Sequence, residues 1–168
     1  MMTPRRASHS LVAFSMSASS TGWRSKVERL ITLSTSAVAV CCCSDSLFGA
    51  PFEDPNAAAR AVTAAREMLA AIEQHNIGSD WPLRIGIGLH LGNVVAGSVG
   101  SPRRKEYTVI GDTVNLASRI EALNKEFGSQ LLISDAVHQE IGNVEGAVSL
   151  GDVPVRGYQQ PIRLWRLA

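Results

Sequence analysis

Apolar positions fall into two different rhythms between residues 107 and 127. Tyr107, Val109 and Ile110 make a compact run that predicts a short strand over 107–110, and Gly111 breaks it. From there Val114, Ala117, Ile120 and Leu123 recur at three-residue steps, with Leu116 and Phe127 widening the same stripe. That period predicts a helix with one buried side. Asp112 or Thr113 is placed to cap it by accepting first-turn N–H groups. Asn115 and Arg119 are four residues apart, so they stack on one face, away from the centre of the stripe.

The same patterns order the rest of the chain. Residues 57–74 are rich in strong helix formers, with Val62, Ala65, Leu69 and Ile72 as the core-facing stripe and Asn56 as the expected cap. Residues 83–91 alternate: Leu83, Ile85, Ile87, Leu89 and Leu91 point one way, and Arg84, Gly86, Gly88 and His90 the other. Glycines lining one face of a strand predict the close approach of another backbone or a ligand. Gly92-Asn93 is read as a hairpin turn, with residues 94–99 returning as the partner strand. The basic loop 100–105 is either a solvated hairpin tip or a contact to a phosphate or partner subunit. Beyond it come a strand at 131–133, a helix at 135–141 capped by Ser134, a strand-like stretch at 144–150 and a closing strand at 162–167. Helices layered on a mostly antiparallel sheet make an α+β fold.

Composition narrows the chemistry. With 168 residues, 45% of them hydrophobic, one domain with a core is expected. A net charge of +1 and 5% aromatic residues give neither a polyanion-binding surface nor a base-stacking platform, so no nucleic-acid partner is expected. Cys41, Cys42 and Cys43 are adjacent, which fits neither a disulfide framework nor spaced metal ligands, and a reducing, cytoplasmic setting is consistent with that. His9, His75, His90 and His138 are scattered.

Residues 1–46 differ in kind from 47–168. They carry Arg5, Arg6, Arg24, Lys26 and Arg29 and many serines, and no periodic pattern spans their first thirty positions. Three readings fit: an organellar transit peptide, a poor secretory signal around residues 31–43, or a misread start. The apolar part is too short and too interrupted by Thr32, Ser34, Thr35 and Ser36 to span a bilayer. The segment is expected to be a disordered or misread Ser/Arg-rich leader.

An amide and a guanidinium side by side near a helix start can hold a polar anion. Arg supplies a fixed fork of donors for phosphate oxygens, and Asn supplies both a donor and an acceptor. The same spacing also describes an ordinary solvated face, and spacing alone leaves both open.

The wording of the stretch goes further. Tyr107-Thr-Val-Ile-Gly-Asp-Thr-Val-Asn-Leu-Ala-Ser-Arg119 closely resembles the signature of class III nucleotide cyclases, the adenylate and guanylate cyclase catalytic domain. Phe48-Gly-Ala-Pro51, Leu83-Arg-Ile-Gly-Ile-Gly-Leu-His-Leu-Gly92 with Val94-Val-Ala-Gly97, and Val155-Arg-Gly-Tyr158 with Pro161 resemble further family pieces, in order. The resemblance implies a ferredoxin-like core that pairs with a second cyclase domain, and conversion of ATP to 3′,5′-cyclic AMP and pyrophosphate in intracellular signalling. By the same resemblance Asn115 orients the ribose, Arg119 stabilises charge on the phosphate, Arg156 contacts the outer phosphates and Thr108 reads the purine. A threonine hydroxyl accepts from an adenine amino group, which favours adenine over guanine.

The family's two metal ions, Mg or Mn, are normally held by two aspartates. One sits in an opening strand of the type Phe-x-Asp-Ile-x-Gly-Phe, which is not found before Phe48. The other sits six residues before the FGAP phenylalanine, where this chain has Cys42; Asp45 is offset by three. No metal ligand is therefore assigned, and the core is expected to lack the family's first strand and helix, leaving a sheet edge unpaired. The chain alone is expected to be inactive. The alternatives are a non-catalytic nucleotide-binding or dimerisation partner of another cyclase subunit, or a guanylate cyclase.

Overall fold

The computed structural model describes residues 11–18, 38–40, 45–49, 54–101, 104–142 and 144–168. Among them are β1 (Leu11–Ala18), β2 (Val38–Val40), β3 (Asp45–Phe48), α1 (Ala57–Asn76), β4 (Ile85–Gly92), β5 (Val95–Ser101) and β6 (Arg104–Ile110). There follow α2 (Asp112–Ala122), α3 (Asn124–Phe127), β7 (Leu131–Ser134), α4 (Asp135–Ile141), β8 (Val148–Val153) and β9 (Ile162–Arg166). Seven strands form one sheet in the order β2-β3-β1-β4-β7-β9-β8. Only the β4–β7 pair is parallel; the others are antiparallel. The α+β class expected from the element order is the observed one.

The period-two pattern of β4 has a simple cause. Ile85, Ile87 and Leu89 share one buried cluster with Val62, Ala65, Met68 and Ile72 of α1, Val137 of α4, and Leu131 and Ile133 of β7. Leu132, between those last two, belongs to a second cluster with Leu116 and Ile120 of α2 and Leu164 of β9. Helices therefore cover both faces, α1 and α4 on one and α2 on the other. The glycines of β4 face α2. A Cβ on Gly88 would meet the backbone of Glu121 and lie 2.5 Å from the Ala117 carbonyl oxygen. The close neighbour foreseen by the glycine face is thus the backbone of a helix. The far end of α2 is pinned to β4 by buried Asn124, whose Nδ2 donates to the Ile87 carbonyl (2.9 Å) and to that of Glu121 (2.9 Å), while Ser129 Oγ donates to its Oδ1 (2.8 Å).

Several expectations are corrected. Residues 11–18 and 38–40 were expected to belong to a structureless leader, yet both are strands. β1 fills the sheet position expected to be empty, pairing with β4 from Leu11↔Gly92 to Ala18↔Ile85 and with β3 at Val12↔Phe48, Ala13↔Leu47 and Phe14↔Ser46. A strand inside a sheet flanked by helices needs no alternation, so its short run of apolar residues gives no period to read. Asp45 and Ser46 begin β3, and the rest of the leader, Cys41–Cys43 among it, lies outside the described residues.

β5 is not the partner of β4. Asn93 and Val94 turn the chain off the sheet, and β5 pairs with β6 as a separate two-stranded arm, from Val95↔Ile110 to Ser101↔Arg104. Arg104 and Lys105, read as loop, are part of that arm. The stretch after Val144 becomes strand only at Val148.

The caps also differ. No side chain caps α1, α2 or α4. At α1 the carboxylate of Asp54 accepts from the Asn56 backbone N–H (2.9 Å) and from Arg60 (2.5 Å), and these bonds hold its pKa below the ordinary carboxylate value. At α2 the N-cap position is Gly111, and Thr113 Oγ1 instead donates to the Asn93 carbonyl (2.6 Å). At α4 Ser134 is bonded to His90.

Candidate active site

The site is built at the start of α2. Leu116, Ala117 and Ile120 anchor the helix in the sheet, so Asn115 and Arg119 stand one turn apart on its exposed side, as the spacing required. The turn after Val155 rises to meet them. The guanidinium of Arg119 donates through Nη1 to the carbonyl of Arg156, and its Cζ lies 5.2 Å from the centre of the Tyr158 ring. The helix face that carries Asn115 and Arg119 is therefore brought against the main chain at Arg156, far away in sequence. Thr108 is on β6 in register with Gly97, four residues before the first residue of α2.

Gly157 makes the approach possible. Its φ is +82°, a left-handed conformation that glycine adopts without a Cβ penalty, and a Cβ there would strike Arg119 Nη1 and lie 3.1 Å from Cζ. Tyr158 closes the arrangement. Its hydroxyl donates to Asp112 Oδ1 (2.6 Å) and lies 3.2 Å from the Asp112 carbonyl. Burial raises the tyrosine pKa, and the Asp112 carboxylate adds to this, pushing it up to about 12 despite the opposing field of Arg119. The phenol is thus a neutral donor over the whole physiological range.

Neither Tyr158 nor Asp112 was read from the sequence as a site residue, Asp112 being expected only as a cap. The signal was present in Val155-Arg-Gly-Tyr158, but nothing local links that tetrapeptide to a residue 46 positions earlier. His90 is half-buried on β4 with Nδ1 2.9 Å from Ser134 Oγ of β7. Burial lowers its pKa, against the pull of Asp112. A cavity of about 450 Å³ lies on the other side of the sheet, lined by Arg66, Leu69, Glu73, Asn76, Gln130 and Ala168, and takes no part in this cluster.

β1 reads Leu-Val-Ala-Phe-Ser-Met-Ser-Ala and contributes no carboxylate. Among the described residues no three His, Cys, Asp or Glu side chains come together as metal ligands. Among the described residues no donor set fits a two-metal centre, and Cys42 lies outside them. Among the described residues no helix is long and apolar enough to cross a membrane.

Comparison with known proteins agrees with this architecture. The family model described as the adenylate and guanylate cyclase catalytic domain matches residues 24–168. Adenylate cyclase 1 of Rhizobium meliloti is 33% identical over 126 residues, covering 73% of this chain and 19% of that protein. The adenylyl cyclase CyaB of P. aeruginosa superposes with a TM-score of 0.75 at 21% identity, over 95% of this chain and 93% of the other. The guanylate cyclase domain of RhGC from Catenaria anguillulae, solved in complex with GTP, gives 0.76 at 22% identity, over 96% and 97% of the two chains. The chain spans about a fifth of the length of the curated relatives it matches. With the family match running through β3, the β5–β6 arm, α2 and the Arg156 turn, this chain belongs to the adenylate and guanylate cyclase catalytic-domain family, the class III nucleotide cyclases.

Proposed function

We propose that this chain is the ATP-recognising part of an adenylate cyclase. The observation that carries the reading is the meeting of Arg119 with the Arg156 turn beside Asn115, because it gathers the residues matched to the ribose and the phosphates at one place. In the reaction implied, the ribose 3′-oxygen forms a bond to the α-phosphorus and the bond from that phosphorus to the bridging oxygen of the β-phosphate breaks. Pyrophosphate leaves, and the hydroxyl proton passes to solvent. Such chemistry is dominated by positioning and charge neutralisation. Asn115 orients the ribose, Arg119 meets charge on the transferring phosphate, Arg156 binds the outer phosphates, and Thr108 on the adjacent arm accepts from the adenine amino group. A homodimer or a heterodimer with another cyclase domain completes the site, and the setting is cytoplasmic.

Turnover by the chain alone is not expected. β1 carries no aspartate, and Cys42 stands where the resemblance puts the family's second metal aspartate. Without those carboxylates the largest electrostatic contribution to the chemistry is missing. This favours a second reading, in which the chain is a nucleotide-binding partner whose activity depends on another cyclase subunit that brings the metals. A guanylate cyclase is the remaining alternative.

The experiment is a titration of the purified chain with ATP and with GTP, followed by melting temperature, because a ligand that binds only the folded state must stabilise it. ATP is expected to raise the melting temperature more than GTP, Arg119→Gln to abolish the rise, and a metal-dependent cyclase assay to stay blank. A larger rise with GTP overturns the adenine assignment. Cyclic AMP made by the chain alone overturns its expected inactivity.

A further inference from the structure

The Arg119 guanidinium is met on three sides by the turn that follows Val155. The Arg156 carbonyl takes one of its N–H groups, the absent side chain of Gly157 leaves it room, and the Tyr158 ring lies beneath it. The ring cannot swing away freely. Its hydroxyl is tied to Asp112, two turns before Arg119 on α2, its backbone N–H donates to the Val155 carbonyl (3.0 Å), and the side chain packs against the cluster that contains Leu116, Ile120 and Leu164. The ring face attracts the cation, and the geometry fixes a side chain that would otherwise sample many rotamers.

We propose that Tyr158 is a positioning residue for Arg119, and that Asp112 acts through it. The hydroxyl bond to Asp112 sets the plane of the ring, the ring sets the guanidinium, and the donors of Arg119 not used by the Arg156 carbonyl are left for a nucleotide phosphate. The inference deepens the function proposed above and rests on it for the phosphate, though not for the clamp itself.

Two readouts on the whole chain separate the clamp from its use. In nucleotide-free protein, the arginine side-chain NMR signals report whether Arg119 is ordered and shifted by an aromatic ring. Tyr158→Phe, which keeps the ring, is expected to retain most of the shift and order, and Tyr158→Leu to lose both. An Arg119 signal unchanged by Tyr158→Leu overturns the clamp, whatever the nucleotide does. The second readout is ATP affinity in a double-mutant cycle of Tyr158→Leu with Arg119→Gln. A cation–π contact at an exposed site corresponds to about a two- to fivefold change in affinity. Tyr158→Leu is expected to weaken ATP by about that factor in the parent and not at all once Arg119 is Gln, with Tyr158→Phe between the two. An equal loss in both backgrounds means Tyr158 acts elsewhere and overturns the proposal. If Arg119→Gln leaves ATP affinity unchanged while Tyr158→Leu still frees the Arg119 signal, the clamp stands and the phosphate role of Arg119 falls. Urea midpoints of each variant identify any that fails to fold, and Tyr158→Phe then carries the comparison.

Discussion

Gly88→Ala is the sharpest test of how the site is positioned. Gly88 is at the centre of β4, and α2, which carries Asn115 and Arg119, crosses directly over it. An added Cβ would lie 2.5 Å from the Ala117 carbonyl oxygen and 2.8 Å from Glu121 Cα, and would also meet the Glu121 backbone nitrogen. Ordinary van der Waals contact begins at 3.4 Å, so the helix backbone has to retreat by about 0.9 Å. All three neighbours are backbone, and no rotamer change relieves them. Overpacking of this kind costs about 1–3 kcal/mol. With a urea dependence of about 2 kcal/mol per molar, the unfolding midpoint should fall by about 0.5–1.5 M. Gly86→Ala, on the same face of the same strand, is the internal comparison. Its Cβ would meet the Glu121 carboxylate oxygen at 2.6 Å, the end of a side chain able to move, so the fall should be clearly smaller. The assay is urea unfolding followed by circular dichroism, with ATP-induced stabilisation measured alongside. A helix displaced by close to 1 Å also moves Asn115 and Arg119, so Gly88→Ala should lose nucleotide response beyond its loss of stability. The reasoning is refuted if Gly88→Ala unfolds at the parental midpoint, or if the two glycines respond alike.

Three further outcomes follow from the same contacts. Ile120→Ala removes a fully buried side chain from the α2 face of the sheet and should cost about 2–5 kcal/mol by chemical denaturation. Asn76→Ala breaks the two bonds by which the Asn76 side chain holds Leu83, from the Leu83 N–H (2.7 Å) and to its carbonyl (2.8 Å); it should cost about 1–3 kcal/mol and speed amide exchange between α1 and β4. For His90, burial depresses the folded-state pKa below the ordinary 6.5, so the unfolded chain binds the proton more readily. The associated stability is fully present above about pH 6.5 and is lost as pH falls through the lowered folded value. His90→Gln should flatten the urea midpoint over that acidic window, and an unchanged slope counts against the burial argument.

The local text of the chain was legible wherever one rule governed one element. The three-residue steps of Val114, Ala117 and Ile120 gave a helix because that face meets a sheet, and the same period put Asn115 and Arg119 together in the open. The alternation of β4 was equally clear, since its two faces meet different helices. β1 was missed because a short apolar run flanked by helices on its sheet carries no period, and the serines around it resemble a leader. The pairing of β5 was misjudged because Gly92-Asn93 has the composition of a hairpin turn, whereas where a strand finds its partner depends on which edges the rest of the sheet leaves open. The caps were misjudged because Asp112, Thr113 and Ser134 each found a partner outside its own helix.

By itself, then, the sequence determined the α+β class and the face shared by Asn115 and Arg119, which follow from spacing within a few turns of chain, and the family, which follows from the resemblance of its motifs. Only the tertiary structure decided that β1 completes the sheet and that α2 lies against Gly88. It alone placed Tyr158 between Asp112 and Arg119. Those contacts join residues from tens of positions to more than seventy positions apart, and their partners are chosen by shape and by unsatisfied hydrogen-bonding groups once the sheet has assembled, which no local period encodes.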